Sequence, residues 1–127
     1  STDKKFIHNI NMPSEASIIK KKHNENKTGF FCKSYTIDQL IYSLTLMKSV
    51  DFIKIDAESA ELQILNGSLK TLKEMKPILY LEITKDEKEI RELLLSYNYV
   101  LFHFLNGKLI KIEDKLPYTS IIAKPLL

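Results

Sequence analysis

Val50-Asp51-Phe52-Ile53-Lys54-Ile55-Asp56-Ala57-Glu58-Ser59-Ala60-Glu61 is the stretch from which the rest of this chain is read. A short apolar run ends in Asp56, Glu58 and Glu61, and a helical pattern follows at once. A buried parallel strand delivers acidic side chains to a cleft in this way, because ligands of open α/β sheets bind outside the carboxyl ends of the strands. Asp56 falls at the last position of the strand. Glu58 lies on the turn and Glu61 in the first helical turn.

Working outward, residues 58–75 carry Leu62, Leu65, Leu69 and Leu72 on one side of a helix that Gly67 divides. Pro77 stops that helix and opens a strand at 78–83, whose near-continuous apolar character predicts burial on both faces. Thr84-Lys85-Asp86-Glu87 reads as a capping box, and Ile90, Leu93, Leu94 and Tyr97 mark the buried face of the helix it starts. Residues 99–105 form a strand. Asn106-Gly107 is a two-residue hairpin signal, since both turn positions need positive φ. Residues 108–112 return, and 119–124 form a last strand.

Upstream, Thr36-Ile37-Asp38-Gln39 is another capping box, followed by a core stripe of Leu40, Ile41 and Leu44, with Met47 at the same spacing. Residues 30–35 and 4–10 read as short strands, and 11–29 as a polar connection. Strand–helix alternation predicts an α/β fold of parallel strands flanked by helices, closed by a terminal antiparallel hairpin. The strands at 52–56 and 78–83 should be parallel neighbours, with 99–105 and 119–124 on the far side of 78–83.

The 127 residues are the size of one domain, and 44% hydrophobic with 28% charged residues is an ordinary globular composition. No apolar run approaches the roughly 20 residues that span a bilayer. Ser1-Thr2-Asp3-Lys4-Lys5 does not read as a signal peptide. The single Cys32, read as a small buried hydrophobe, has no partner for an internal disulfide. A reducing, cytoplasmic setting fits this. A net charge of +3 does not argue for nucleic acid, and Lys20-Lys21-Lys22-His23 has no interleaved aromatic to stack a base, so it reads as a solvated face. Neither nucleic acid nor a membrane is expected as a partner. The three histidines, His8, His23 and His103, are too scattered for metal-ligand spacing, and His103 reads as structural. Gly29, Gly67 and Gly107 are the only glycines, and none can join another in a nucleotide-cradling loop.

Ile53-Lys54-Ile55-Asp56-Ala57-Glu58-Ser59-Ala60-Glu61 resembles the "IKxDxEGxE" signature of FkbM-type methyltransferases. Thr36-Ile37-Asp38-Gln39-Leu40-Ile41 is similar to the family's "TLDxLL", Leu62-x-x-Leu65-x-Gly67 to its "LxxLxG", and Pro77 to Ile83 to its "PxxxxEI". Tyr97-Asn98-Tyr99 stands where the family has "GY", and Ser14-x-x-Ser17 where it has a serine-containing loop. On this reading residues 14–124 are the C-terminal portion of a Rossmann-like methyltransferase sheet. The half that carries the glycine-rich loop for S-adenosylmethionine is then missing. Ser59 replaces the signature's Gly, and positive φ there would strain it by about 1–2 kcal/mol.

The resemblance implies S-adenosylmethionine as methyl donor and a small-molecule or glycan hydroxyl as acceptor. Asp56 and Glu58 are the candidate catalytic carboxylates, and Glu61 and Glu82 the candidate substrate-binding ones. Each has a structural alternative: acids favour helix N-termini, and a carboxylate near a buried strand end pairs with a lysine as readily as with a ligand. Asp56 and Glu82 are expected to open toward one cleft. Alone, the chain is expected neither to bind the donor tightly nor to turn over. A non-enzymatic interaction module is the alternative. The open edge of 52–56 is expected to be covered by residues 4–10 or 30–35, or by a second chain in a homodimer.

Overall fold

The structure is a computed structural model that describes residues 2–9, 16–18 and 27–126, with side chains described from residue 33 onward. Ser14, the basic run at 20–23 and the Cys32 side chain lie outside what is described. The chain divides into two compact units, residues 1–36 and 37–127.

The first unit holds β1 (Thr2–Asn9), β2 (Ala16–Ile18) and β3 (Lys27–Ser34) in an antiparallel sheet of order β2-β1-β3. Phe6 sits opposite both Ile18 and Phe30 in the register. The strands expected at 4–10 and 30–35 are therefore present, and they pair with each other. The stretch expected to be a polar connection, 11–29, contributes β2 and the start of β3. Short, weakly patterned strands of this kind acquire their pairing from one another rather than from a period visible in one segment alone.

The second unit is a five-stranded sheet of order β4-β5-β8-β6-β7, with strands Phe52–Ile55, Ile78–Glu82, Ser120–Pro125, Tyr99–Leu105 and Lys108–Lys111. β4 and β5 are parallel, with Ile55 opposite Leu81. β8 runs antiparallel to both β5 and β6, so β4, β5 and β6 share one direction. The expected neighbours and their order hold. The sheet is mixed, compatible with a Rossmann-like arrangement, with one hydrogen-bonded parallel pair. Asn106 (φ 50) and Gly107 (φ 76) form the two-residue turn between β6 and β7, with Leu105 opposite Lys108.

Helices α1 (Glu61–Asn66), α2 (Leu69–Glu74) and α3 (Glu87–Ser96) supply Leu65, Leu72, Ile90 and Leu94 to the core. These side chains join Ile55, Leu79, Leu81, Leu101, Ile121 and Ala123 in a single buried cluster. One face of β5 is thus covered. On the other, Ile78 is 37% exposed and Tyr80 half-buried, which corrects the expectation of burial on both faces. The described helices serve the Leu79/Leu81 face, and antiparallel β8 beside β5 suits a sheet with one open side. The buried Tyr99 hydroxyl donates to the Pro77 carbonyl at 2.9 Å, tying the start of β6 to the residue that opens β5. Burial pushes the Tyr99 phenol up to about 12. No helix among the described residues is long and apolar enough to cross a membrane.

The stripe Leu40/Ile41/Leu44 is not all core. Ile41 is buried, whereas Leu40, Leu44 and Met47 are exposed. Residues Gln39–Leu44 form a π-helical turn, and the Thr45 amide and hydroxyl both close on the Leu40 carbonyl at 2.9 and 2.8 Å. The wider turn rotates these side chains off the 3.6-residue stripe. Asp38 acts at a distance. Its carboxylate accepts from the Lys70 and Thr71 amides at 3.0 and 2.9 Å and from the Thr71 hydroxyl at 2.6 Å, capping α2 from outside the helix. The Ser68 hydroxyl is within donating distance of the Ile64 and Leu65 carbonyls, at 3.1 and 2.8 Å, which satisfies the end of α1 across the break at Gly67.

Removal of the remote cap is a direct check. Asp38→Ala is expected to lower stability by about 1–2 kcal/mol, as cap deletions do, read as a lower urea midpoint with an unchanged slope.

Candidate functional site

β4 and β5 end side by side, and the residues after Ile55 and Leu81 are Asp56 and Glu82. Parallel pairing puts both at the carboxyl edge of the sheet, as expected. Glu82 and Asp56 are neighbours at that edge. Side-chain hydrogen bonding with Asp56, the Asp56 charge, partial loss of water and the Glu58 charge raise the Glu82 pKa above the ordinary carboxylate value, against a smaller opposing effect of Lys54. Two carboxyl groups this close hold a proton between them more tightly than either would alone. Lys54 reaches Asp56 Oδ2 at 3.5 Å, a largely exposed contact that contributes little to stability.

Glu61 has the same chemistry and a different position. It is 1% exposed. Its Oε1 accepts from the Ala57 and Ser59 amides at 3.3 and 3.2 Å, and Oε2 accepts from the Thr84 hydroxyl at 3.2 Å. A buried charge needs such partners. The carboxylate bends the turn after β4 back onto the start of α1 and joins it to the end of β5. The structure therefore places Glu61 beneath the turn, while Asp56 and Glu58 are exposed above it and Glu82 is half-buried beside Asp56.

The turn is strained. Glu58 (φ 45) and Ser59 (φ 75) are both left-handed, the conformation that the signature's Gly would accept without cost. Because Thr84 gives its proton to Glu61, the Ser59 hydroxyl donates to Thr84 Oγ1 at 3.2 Å, a partial compensation. Thr84 was expected to cap α3. The N-cap position is instead Asp86, left-handed at φ 54 and without a side-chain cap hydrogen bond, while the Thr84 hydroxyl donates to Glu61. Sequence reading missed Thr84 as a site neighbour. Its position two residues beyond Glu82 was the available signal.

Among the described residues no group of three His, Cys, Asp or Glu side chains is placed to hold a metal ion. His103, half-buried in β6, lies between Ile110 and Ile121 in the register. A cavity of about 260 Å³ is lined by Glu87, Lys88, Arg91, Glu92, Asp114 and Lys115, and not by Asp56, Glu58, Glu61 or Glu82.

Residues 5–101 match the methyltransferase FkbM domain. The match begins within β1, takes in β2 and β3, and stops within β6. It thus begins earlier and ends sooner than the motif resemblance over 14–124, and a reading of the chain as the C-terminal portion only is not upheld. No curated protein and no solved structure shows significant similarity to the chain.

Two outcomes test this geometry. Ser59→Gly is expected to raise stability by about 1 kcal/mol, as relief of left-handed strain outweighs the added freedom of the unfolded chain and the loss of an exposed hydroxyl contact. Thermal melts of the two proteins measure it. Glu82 is protonated more readily in the folded than in the unfolded chain. Its stabilising share is therefore complete below the unfolded carboxylate pKa and is lost as pH rises through the raised value. Glu82→Gln should match the wild type in acid and become the more stable protein toward neutrality, in denaturation series run across that range.

Proposed function

Because the chain belongs to the FkbM methyltransferase family, we propose that it serves S-adenosylmethionine-dependent O-methylation, with the hydroxyl of a sugar, glycan or related metabolite as acceptor. The observation that carries this reading is the Asp56–Glu82 carboxyl pair at the carboxyl ends of adjacent parallel strands. Methyl transfer to a hydroxyl needs in-line placement of the acceptor and one group to take its proton. Asp56 is that base, and its carboxylate also orients the hydroxyl. Glu82 lies beside Asp56 at the same edge of the sheet and helps to set which way the Asp56 carboxylate faces. Glu58 supplies a further exposed carboxylate on the same turn, suited to a neutral polyhydroxyl acceptor. Glu61 and Thr84 hold the turn from below.

The residues described do not fit the methyl donor. A donor cradle needs glycines close together so that the backbone can approach the ligand. The Gly67 amide is spent on the Gln63 and Ile64 carbonyls. Gly107 occupies the hairpin turn, and Gly29 sits opposite Ile7 in β3. This scattering favours a second reading, a domain of methyltransferase ancestry that works as a non-catalytic interaction module.

Titration calorimetry separates the two. The 127-residue chain by itself is expected to bind S-adenosylmethionine more weakly than micromolar, about −8 kcal/mol. Micromolar binding would place a donor pocket within it. In the protein as its gene encodes it, Asp56→Ala should cut transfer of labelled methyl by about 10²–10⁴-fold and leave S-adenosylhomocysteine affinity unchanged. Absence of both donor binding and transfer in that protein would favour the interaction module.

A further inference from the structure

The dipeptide Asn-Gly occurs twice, at Asn66-Gly67 and Asn106-Gly107, in opposite structural settings. We infer that Asn106 is a site of spontaneous backbone modification through a succinimide, and that Asn66 is protected from it.

In this reaction the deprotonated amide nitrogen of the following glycine attacks the Asn side-chain carbon Cγ. A bond forms between that nitrogen and Cγ, and the bond from Cγ to the side-chain nitrogen breaks. The leaving nitrogen takes up protons from water and departs as ammonia. Water then opens the cyclic imide at either carbonyl, giving aspartate or isoaspartate. The reaction needs a glycine amide that is free to lose its proton and a backbone free to rotate about the Asn residue.

The hairpin turn supplies both. Asn106 and Gly107 are exposed. The hydrogen-bonded pairs flanking the turn run through Leu105 and Lys108, which leaves the Gly107 amide outside the ladder. No atom beyond its chain neighbours lies within 4 Å of where a side chain at Gly107 would begin, so the turn is uncrowded on that side. Pairing of β6 with β8 ends at His103 opposite Ile121, whereas pairing with β7 continues to Leu105 opposite Lys108. The tip is therefore a two-stranded ribbon beyond the sheet, with Phe104 and Leu109 facing solvent, and such ribbons open readily.

At the other site the Gly67 amide donates to the Gln63 and Ile64 carbonyls at 3.1 and 3.0 Å. Ser68, which follows, is 1% exposed, and Leu65 is fully buried. Freeing that amide requires unwinding the end of α1 and lifting Leu65 from the core. Conversion at Asn106 adds a negative charge. As isoaspartate it also lengthens the main chain by one carbon, which no longer fits a two-residue turn.

The test incubates the full chain at mildly alkaline pH, with aliquots digested by pepsin in acid and sequenced by mass spectrometry with electron-transfer fragmentation. Conversion is expected at Asn106, faster at higher pH, with Asn66 intact. In strong urea both sites should convert. Equal rates at the two sites in the folded protein would overturn the inference. So would an intact Asn106 under conditions that convert a free Leu-Asn-Gly-Lys peptide. Asn106→Gln is expected to abolish the tip product without touching Asn66.

Discussion

The parallel pairing of β4 with β5 is the constraint from which the second unit follows. Parallel neighbours cannot be joined by a tight turn, so the chain must cross over and return, and α1 and α2 are that crossover. The crossover has to bury its apolar side against the sheet it leaves, which is why Leu65 and Leu72 meet Leu79 and Leu81. The same register fixes where the strands stop. With Ile55 opposite Leu81, the next residue on each strand is a carboxylic acid, and the two cannot avoid each other.

The site separates three carboxyl groups by environment. Asp56 and Glu82 are neighbours at the end of two parallel strands, and the Asp56 carboxylate raises the Glu82 pKa. Glu61 accepts two amide hydrogens and one hydroxyl hydrogen from beneath the turn. A neighbouring carboxylate disfavours the charged form of Glu82. The same functional group thus serves as a pair at the sheet edge and as a buried acceptor beneath the turn. The Glu61 carboxyl shapes the turn on which Glu58 and Ser59 adopt left-handed backbone.

Much of this was legible in the sequence, for physical reasons that differ from place to place. Pro77 and Asn106-Gly107 act locally, through a missing amide and through tolerance of positive φ, so their effects are written in one or two residues. The neighbours of β5 were legible because strand–helix alternation leaves few topologies. The consequence of Ser59 at a glycine position was legible as well, and its φ of 75 is the conformation in question. The π-helical turn at 39–44 was not, because its apolar spacing imitates an α-helix and only the closure by Thr45 distinguishes them. Nor was the commitment of Thr84. A Thr three residues before a Glu satisfies the capping pattern, and the competing acceptor, Glu61, lies far away in sequence. Pairing within the first sheet likewise depends on partners that no single segment encodes.

The place of β8 bears on how the molecule is assembled in time. It lies between β5 and β6, yet its pairing with β5 sets Leu81 opposite Ile121, about forty residues apart. As the polypeptide leaves the ribosome, β4, β5, β6 and all three helices emerge before the strand that joins them. Until it arrives, β5 and β6 each present an unpaired edge beside apolar surface, the state in which chains associate with one another. Closure of the sheet is a late, long-range event with a large loop to order, which makes it slow. The order of synthesis thus gives this fold a period of vulnerability that its finished form does not show.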